Sequence, residues 1–175
     1  MIRVFHTKAG DDEHLYGHAL ARYALGREFV DSELILAPQK KPLAKAPGAY
    51  LSISHSCGVC AVAVADEPVG LDIELNEREP ERLMKLAKRF FSSDEAEYVK
   101  PDPARRFYEI WCKKESYVKY TGEGFSREFP GFSVFDLNER FSSFDIYGHF
   151  GCVCAMESAG IEPVFVDSAE ISRYL

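Results

Sequence analysis

An α+β fold built from two related halves is predicted by three observations. β-rich and helical stretches alternate along the 175 residues in the order β, α, β-hairpin, α, α, β-hairpin. The longest wholly apolar run, Val59 to Ala65, is seven residues, a strand length where a membrane span needs about 20. A faint repeat sets Cys60-Ala61 and Glu67-Pro68-Val69 against Cys154-Ala155 and Glu162-Pro163-Val164, at offsets of 94 and 95. On so few residues, chance accounts for the repeat as well as duplication does.

The elements follow in order. Leu15, His18, Ala19, Tyr23 and Ala24 recur at helical spacing, with Asp11 or Asp12 as N-cap and Gly26 closing the helix. The Pro- and Lys-rich stretch 30–48 reads as a short strand and then loop. Tyr50, Leu51 and Ile53 lead through Ser54-His55-Ser56-Cys57-Gly58 into the apolar run. The turn Asp66-Glu67-Pro68 joins that run to Val69–Leu75, which predicts a hairpin around a polar, Pro-bearing turn. Residues 78–90 place Leu83, Leu86, Ala87 and Phe90 on one helical face. Ser93-Asp94-Glu95-Ala96 starts a short helix that Pro101-Asp102-Pro103 ends, and a long helix runs from Ala104 to Tyr120 before Thr121-Gly122. From Phe132 onward, apolar and polar residues alternate as in antiparallel strands.

Composition narrows the function classes. Twenty-one basic against 28 acidic residues give a net charge of −7, unlike a protein that coats duplex nucleic acid through phosphate contacts. Twelve Gly and nine Pro are ordinary, which excludes collagenous and linker classes. The start, MIRVFHTKAG, has no apolar segment behind its basic residue and so does not read as a secretory signal. Five cysteines, an odd number, then read as reduced thiols. A cytoplasmic protein, with neither membrane nor nucleic acid as partner, is the expectation.

Three clusters carry chemistry. Asp72 and Glu74 lie two apart on a strand, so both leave one face while Leu71, Ile73 and Leu75 leave the other. Hard oxygens at that spacing suit Mg²⁺, which takes one or two carboxylates and completes its shell with water and phosphate. A solvated edge strand has the same pattern. On the long helix, Phe107, Trp111, Glu115 and Lys119 recur at four-residue spacing as one stripe. It begins with two aromatics and ends with a carboxylate and an ammonium, a functional pattern or a docked helix with a surface ion pair. Ser52, Ser54, His55 and Ser56 crowd a strand end, with Lys40, Lys41 and Lys45 upstream, and these groups together suit a phosphate monoester. A strand-end His is equally a packing residue. No GxxxxGK[ST], GxGxxG or G-x-S-x-G is present, which removes the common nucleotide folds and the serine-hydrolase elbow. Cys57-Gly-Val-Cys60 has redox spacing, but a strand follows it where a thiol-activating helix would be needed, and pairing it with Cys152 and Cys154 gives poor zinc spacing.

Taken together, these stretches resemble the 4′-phosphopantetheinyl transferases, in particular the single-chain type with two pseudo-symmetric halves. The residues that carry the likeness are Ile53-Ser54-His55-Ser56, Val69-Gly70-Leu71-Asp72-Ile73-Glu74, Arg89-Phe90-Phe91-Ser92-Ser93-Asp94-Glu95 and Trp111-Cys112-Lys113-Lys114-Glu115-Ser116-Tyr117-Val118-Lys119. G-x-D-x-E followed at this distance by W-x-x-K-E-S-x-x-K is the specific part. The resemblance implies transfer of the phosphopantetheine arm of coenzyme A to a serine of an apo acyl or peptidyl carrier protein, releasing adenosine 3′,5′-bisphosphate. It implies Asp72, Glu74 and Glu115 as ligands of Mg²⁺ or Mn²⁺, Glu115 also as the base for the carrier serine, and Lys119 on the pyrophosphate. Lys114 falls on a basic position of the motif, and Lys41, Ser54 and His55 match phosphate-contacting positions. The implied organisation is one compact monomeric unit, with residues 1–69 as the N-terminal half and 70–175 as the C-terminal half.

Two departures stand out. The region before Lys41 is abbreviated, and Asp11-Asp12-Glu13 is acidic near where relatives carry basic contacts. For the partner, six bases against three acids in residues 100–120 give a local net of +3, a face that suits an acidic carrier. Two rival readings use the same residues: a Mg²⁺-dependent phosphate-ester hydrolase, and a non-catalytic module that binds a carrier protein or zinc.

Overall fold

The computed structural model describes residues 1–29, 32–36, 41–122, 129–157 and 160–175. In chain order its elements are β1 (Ile2–Lys8), α1 (Glu13–Glu28), β2 (Leu34–Ile35), β3 (Leu43–Ala44), β4 (Tyr50–Ser56), β5 (Val59–Ala65), β6 (Val69–Leu75), α2 (Pro80–Phe90), α3 (Ser93–Val99), α4 (Pro103–Thr121), β7 (Arg140–Ile146), β8 (His149–Ala155), β9 (Ile161–Phe165) and α5 (Ser168–Ile171). One sheet has the order β4-β5-β1-β9 and a second the order β6-β8-β7, while β2 and β3 pair with each other. Helix α1 covers the outer face of the first sheet, the two sheets pack face to face, and α2 to α4 cover the second sheet.

The apolar run 59–65 is buried throughout because β5 is covered on both faces. Cys60, Val62 and Val64 pack under α1, whereas Val59, Ala61, Ala63 and Ala65 meet Val69, Leu71 and Ile73 of the second sheet. Continuous hydrophobicity, where one-sided strands alternate, is the mark of such a position.

The hairpin is not where the polar turn suggested. Asp66-Glu67-Pro68 carries the chain from the first sheet to the second, and β6 pairs with β8. The hairpin is β4–β5, closed by Cys57-Gly58 with Ser56 opposite Val59. Both turn residues have positive φ, as a two-residue turn matching strand twist requires. Tyr147-Gly148 closes β7–β8 in the same way. The ring of His149 contacts the carbonyls of Ser56 and Tyr147 and so ties the two hairpin ends together.

Three smaller expectations also change. Helix α1 runs past Gly26 to Glu28, because its buried face continues to Leu25; Leu15 is exposed. Asp12 is the N-cap, accepting from Leu15 N at 2.9 Å. Short helix α3 is capped by Ser92 in a reciprocal box with Glu95. The last strand does not continue the antiparallel pattern: β9 returns to the first sheet and runs parallel to β1.

Candidate active site

The site forms where α4 lies on β6. Leu71 and Ile73 of β6 enter the core between the sheets, so Gly70, Asp72 and Glu74 face the helix. A Cβ on Gly70 would stand 1.8 Å from the Ser116 carbonyl oxygen and 2.6 Å from Tyr120 N. Only glycine lets the helix backbone settle this closely on the strand. That seating brings the lower part of the predicted stripe onto the carboxylates.

Lys119 Nζ donates to Asp72 Oδ1 at 2.8 Å and to Ser54 Oγ at 3.1 Å. Ser54 Oγ in turn donates to the same Oδ1 at 3.0 Å. Asp72 is 5% exposed, and its second oxygen, Oδ2, is buried without a hydrogen-bond partner. Glu74 accepts from Trp111 Nε1 at 3.2 Å through one oxygen and from Ser56 Oγ at 3.4 Å through the other. Burial first, and then the charge of Asp72, pushes the Glu74 carboxyl above its ordinary value. Glu115 is pushed up to about 7, by burial first, with Asp72 and Glu74 adding to the rise and Lys119 opposing it. Asp72, Glu74 and Glu115 thus feel one another's charge, and among the described residues Lys119 is the cation bonded to one of them, Asp72.

These residues fit a divalent cation without forming a finished cage. Among the described residues, no three His, Cys, Asp or Glu side chains converge closely enough to hold a metal by themselves. The orphaned Asp72 Oδ2 and the mutual repulsion of Asp72, Glu74 and Glu115 are both features that a hard cation relieves. Such a shell would be completed by water or phosphate oxygens.

The other predicted residues separate by what their polar atoms are already doing. Lys114 is set apart by burial: its ammonium is wholly buried and bonds Glu95 Oε2 at 2.9 Å, the Phe129 carbonyl at 2.7 Å and the Phe132 carbonyl. All three N–H groups are used, so Lys114 ties α3 and α4 to residues 129–134. Ser54 is likewise saturated, since Ile73 N donates to it at 3.2 Å in addition to Lys119. Lys41 spends two of its three N–H groups on the carbonyls of Val69, at 3.0 Å, and Lys119, at 2.6 Å. One remains. His55 is exposed at the strand end and uses Nδ1 on Glu13 at 3.0 Å. Lys40 lies outside the described residues.

Sequence reasoning named three residues without the roles that the structure gives them. Trp111 is a hydrogen-bond donor to Glu74 as well as a docking ring, and Ser56 is its counterpart on the other oxygen. Glu13 braces both His55 and Gly58 N, so the acidic start of α1 serves the β4–β5 turn. The four-residue spacing of Trp111 and Glu115 puts the ring on the same helix face as Glu115, but no local pattern marks its bond to Glu74 on β6. The basic character of residues 100–120 largely disappears on folding. Lys100, Lys113, Lys114 and Lys119 pair with Glu97, Glu109, Glu95 and Asp72. All five cysteines are thiols; burial raises Cys60 and Cys152 to about 12, which leaves them unreactive.

Residues 68–160, which hold β6, α4 and both hairpin strands β7 and β8, match the family model of the 4′-phosphopantetheinyl transferase superfamily. The chain belongs to this superfamily. Among curated relatives it is 33% identical over 141 residues to 4′-phosphopantetheinyl transferase Sfp of Bacillus subtilis (strain 168), covering 75% of this chain and 62% of that protein. It is 32% identical over 123 residues to psf-1 of Bacillus pumilus, covering 68% and 51%. With HetI of Nostoc sp. it shares 36% identity over 86 residues, 46% of this chain and 35% of that one. The chain therefore spans between half and two thirds of the length of the two Bacillus proteins. The matched superfamily region includes every carboxylate of the site and Lys119.

Proposed function

We propose that this chain transfers the 4′-phosphopantetheine arm of coenzyme A to the serine of an apo acyl or peptidyl carrier protein, with Mg²⁺ or Mn²⁺ bound. The observation that carries the reading is the meeting of Asp72 and Glu74 on β6 with Glu115 and Lys119 on α4, around an unpartnered buried oxygen. In this reading Asp72, Glu74 and Glu115 hold the cation. When bound, the cation supplies neutralisation of pyrophosphate charge.

The remaining steps belong to the chain's own groups. Lys119, with two N–H groups on Asp72 and Ser54, has a third to donate to the pyrophosphate. Glu115, whose carboxyl sits at about 7, takes the proton of the carrier serine as its oxygen bonds to phosphorus. The bond from that phosphorus to the bridging oxygen breaks, and adenosine 3′,5′-bisphosphate leaves with the electron pair. Positioning and charge neutralisation supply most of the rate in such transfers. Lys41, with one N–H to spare, and His55, whose Nε2 donates in the imidazolium form, contact the 3′-phosphate. The protein acts as a soluble monomer in the cytoplasm; no helix among the described residues is long and apolar enough to cross a membrane.

Incubation with coenzyme A, Mg²⁺ and an apo carrier tests the reading by mass spectrometry. The carrier should gain one phosphopantetheine arm, and excess EDTA or Asp72→Ala should remove most of the transfer. A hydrolase would consume coenzyme A without modifying the carrier, and a binding module would do neither.

A further inference from the structure

Ser52, Ser54 and Ser56 occupy alternate positions of β4 and therefore share one face. Each hydroxyl accepts a backbone N–H of β6: Ser52 from Leu71 at 3.0 Å, Ser54 from Ile73 at 3.2 Å and Ser56 from Leu75 at 3.3 Å. β6 is the edge of its sheet, and these are its amides on the side away from β8. A buried edge needs such partners. The serines differ in where their protons go. Ser54 donates to Asp72 Oδ1 and Ser56 to Glu74 Oε2, whereas the described contacts of the Ser52 hydroxyl include neither carboxylate.

We infer that Ser54 and Ser56 are positioning residues for the two β6 carboxylates, fixed by the β6 backbone itself. The inference rests on the proposed role of Asp72 and Glu74 as cation ligands. A hydroxyl offers one proton and two lone pairs. Ser54 gives its proton to Oδ1 and its lone pairs to Ile73 N and Lys119 Nζ, so its whole capacity serves Asp72 and the groups around it. With Oδ1 held by both Ser54 and Lys119, the carboxylate cannot rotate, and Oδ2 is the oxygen left for the cation. Ser56 repeats the device one residue pair along, more weakly at 3.4 Å, with Trp111 holding the other oxygen of Glu74.

Mn²⁺ binding, followed by the free-ion paramagnetic resonance signal with and without coenzyme A, tests this on the native protein and on Ser52→Ala, Ser54→Ala and Ser56→Ala. Thermal melts run alongside. Ser52→Ala loses only the backbone contact, so it should lower the melting temperature and leave Mn²⁺ affinity within about twofold of native. Ser54→Ala should weaken Mn²⁺ binding by about tenfold or more, the usual cost of removing a group that orients a metal ligand. Ser56→Ala should show a smaller loss in the same direction and, being only partly buried, carries the test if Ser54→Ala does not fold. In the transfer assay, Ser54→Ala should lower kcat/KM for coenzyme A and dephospho-coenzyme A by the same factor. Mn²⁺ affinity equal to that of Ser52→Ala, or a loss confined to coenzyme A, overturns the inference. A native protein that transfers the arm yet binds no Mn²⁺ overturns it while transfer stands; a native protein that does neither overturns the underlying reading as well.

Discussion

Glu115 is the group in which burial and function meet most directly. Its carboxyl is raised to about 7 by desolvation and then by Asp72 and Glu74, so near neutral pH it is poised between acid and base. Glu115→Gln keeps the shape and removes the base. We expect kcat to fall by about 10²- to 10⁴-fold with KM for coenzyme A changed only a few-fold. An intact kcat with weakened metal binding would assign Glu115 to the cation alone. Glu95 is no substitute base, because both its oxygens are buried against Ser92 N, Lys114 and Val134 N. Lys41 offers a test by pH. Burial, and then the charge of Lys119, holds its ammonium down to about 8. The unfolded value is near 10.4, so between about 8 and 10 the folded chain binds fewer protons than the unfolded one. Stability due to this group therefore rises with pH across that window. Urea unfolding at pH 7.5 and 9.5 should show the native protein gaining on Lys41→Met at the higher pH; a constant difference would mean the ammonium is solvated.

At the scale of elements, the decisive event is the seating of α4 on β6. Gly70 has no side chain to hold the helix off, and Ser116 O occupies the space a Cβ would take. Gly70→Ala must push α4 outward, and overpacking of this kind costs about 1–3 kcal/mol or more. The same shift separates Lys119 from Asp72, so transfer should fall further than stability does. Urea unfolding together with kcat/KM reads both; a variant as stable and as active as native would show that the helix is not seated there. Sequence reasoning placed the two carboxylates on one face and the stripe on one helix, since periods of two and four residues are local. It could not tell Lys114 from Lys119, five residues apart. Their opposite fates depend on which side of α4 meets β6 and which meets Glu95.

For the whole molecule, the C-terminal segment closes the first layer. β9 adds a parallel strand beside β1, and Ile171 of α5, fully buried, joins the cluster under α1 with Val166. Ile171→Ala should cost about 2–5 kcal/mol by cavity formation. In a chain of this size that lowers Tm by roughly 2–4 °C per kcal/mol, a shift a calorimetric scan resolves easily. An unchanged Tm would mean that the last turn is not docked. Activity of the folded variant at low temperature should persist, because this cluster lies on the far side of the first sheet from the carboxylates.

The sequence by itself determined which residues could do chemistry: D-x-E on one strand face, W-x-x-K-E-S-x-x-K on one helix face, and serines alternating on β4. Those patterns follow from side-chain direction along a strand or helix, which needs no partner to be legible. Only the tertiary structure decided what each polar atom does. The polar turn at 66–68 proved to be a crossover, because pairing of β6 with β8 rather than β5 depends on residues some 80 positions later. Ser54 and Lys114 spend their hydrogen bonds on contacts between elements, since a hydrogen-bonding group has fixed capacity and burial makes it spend that capacity on its nearest neighbours.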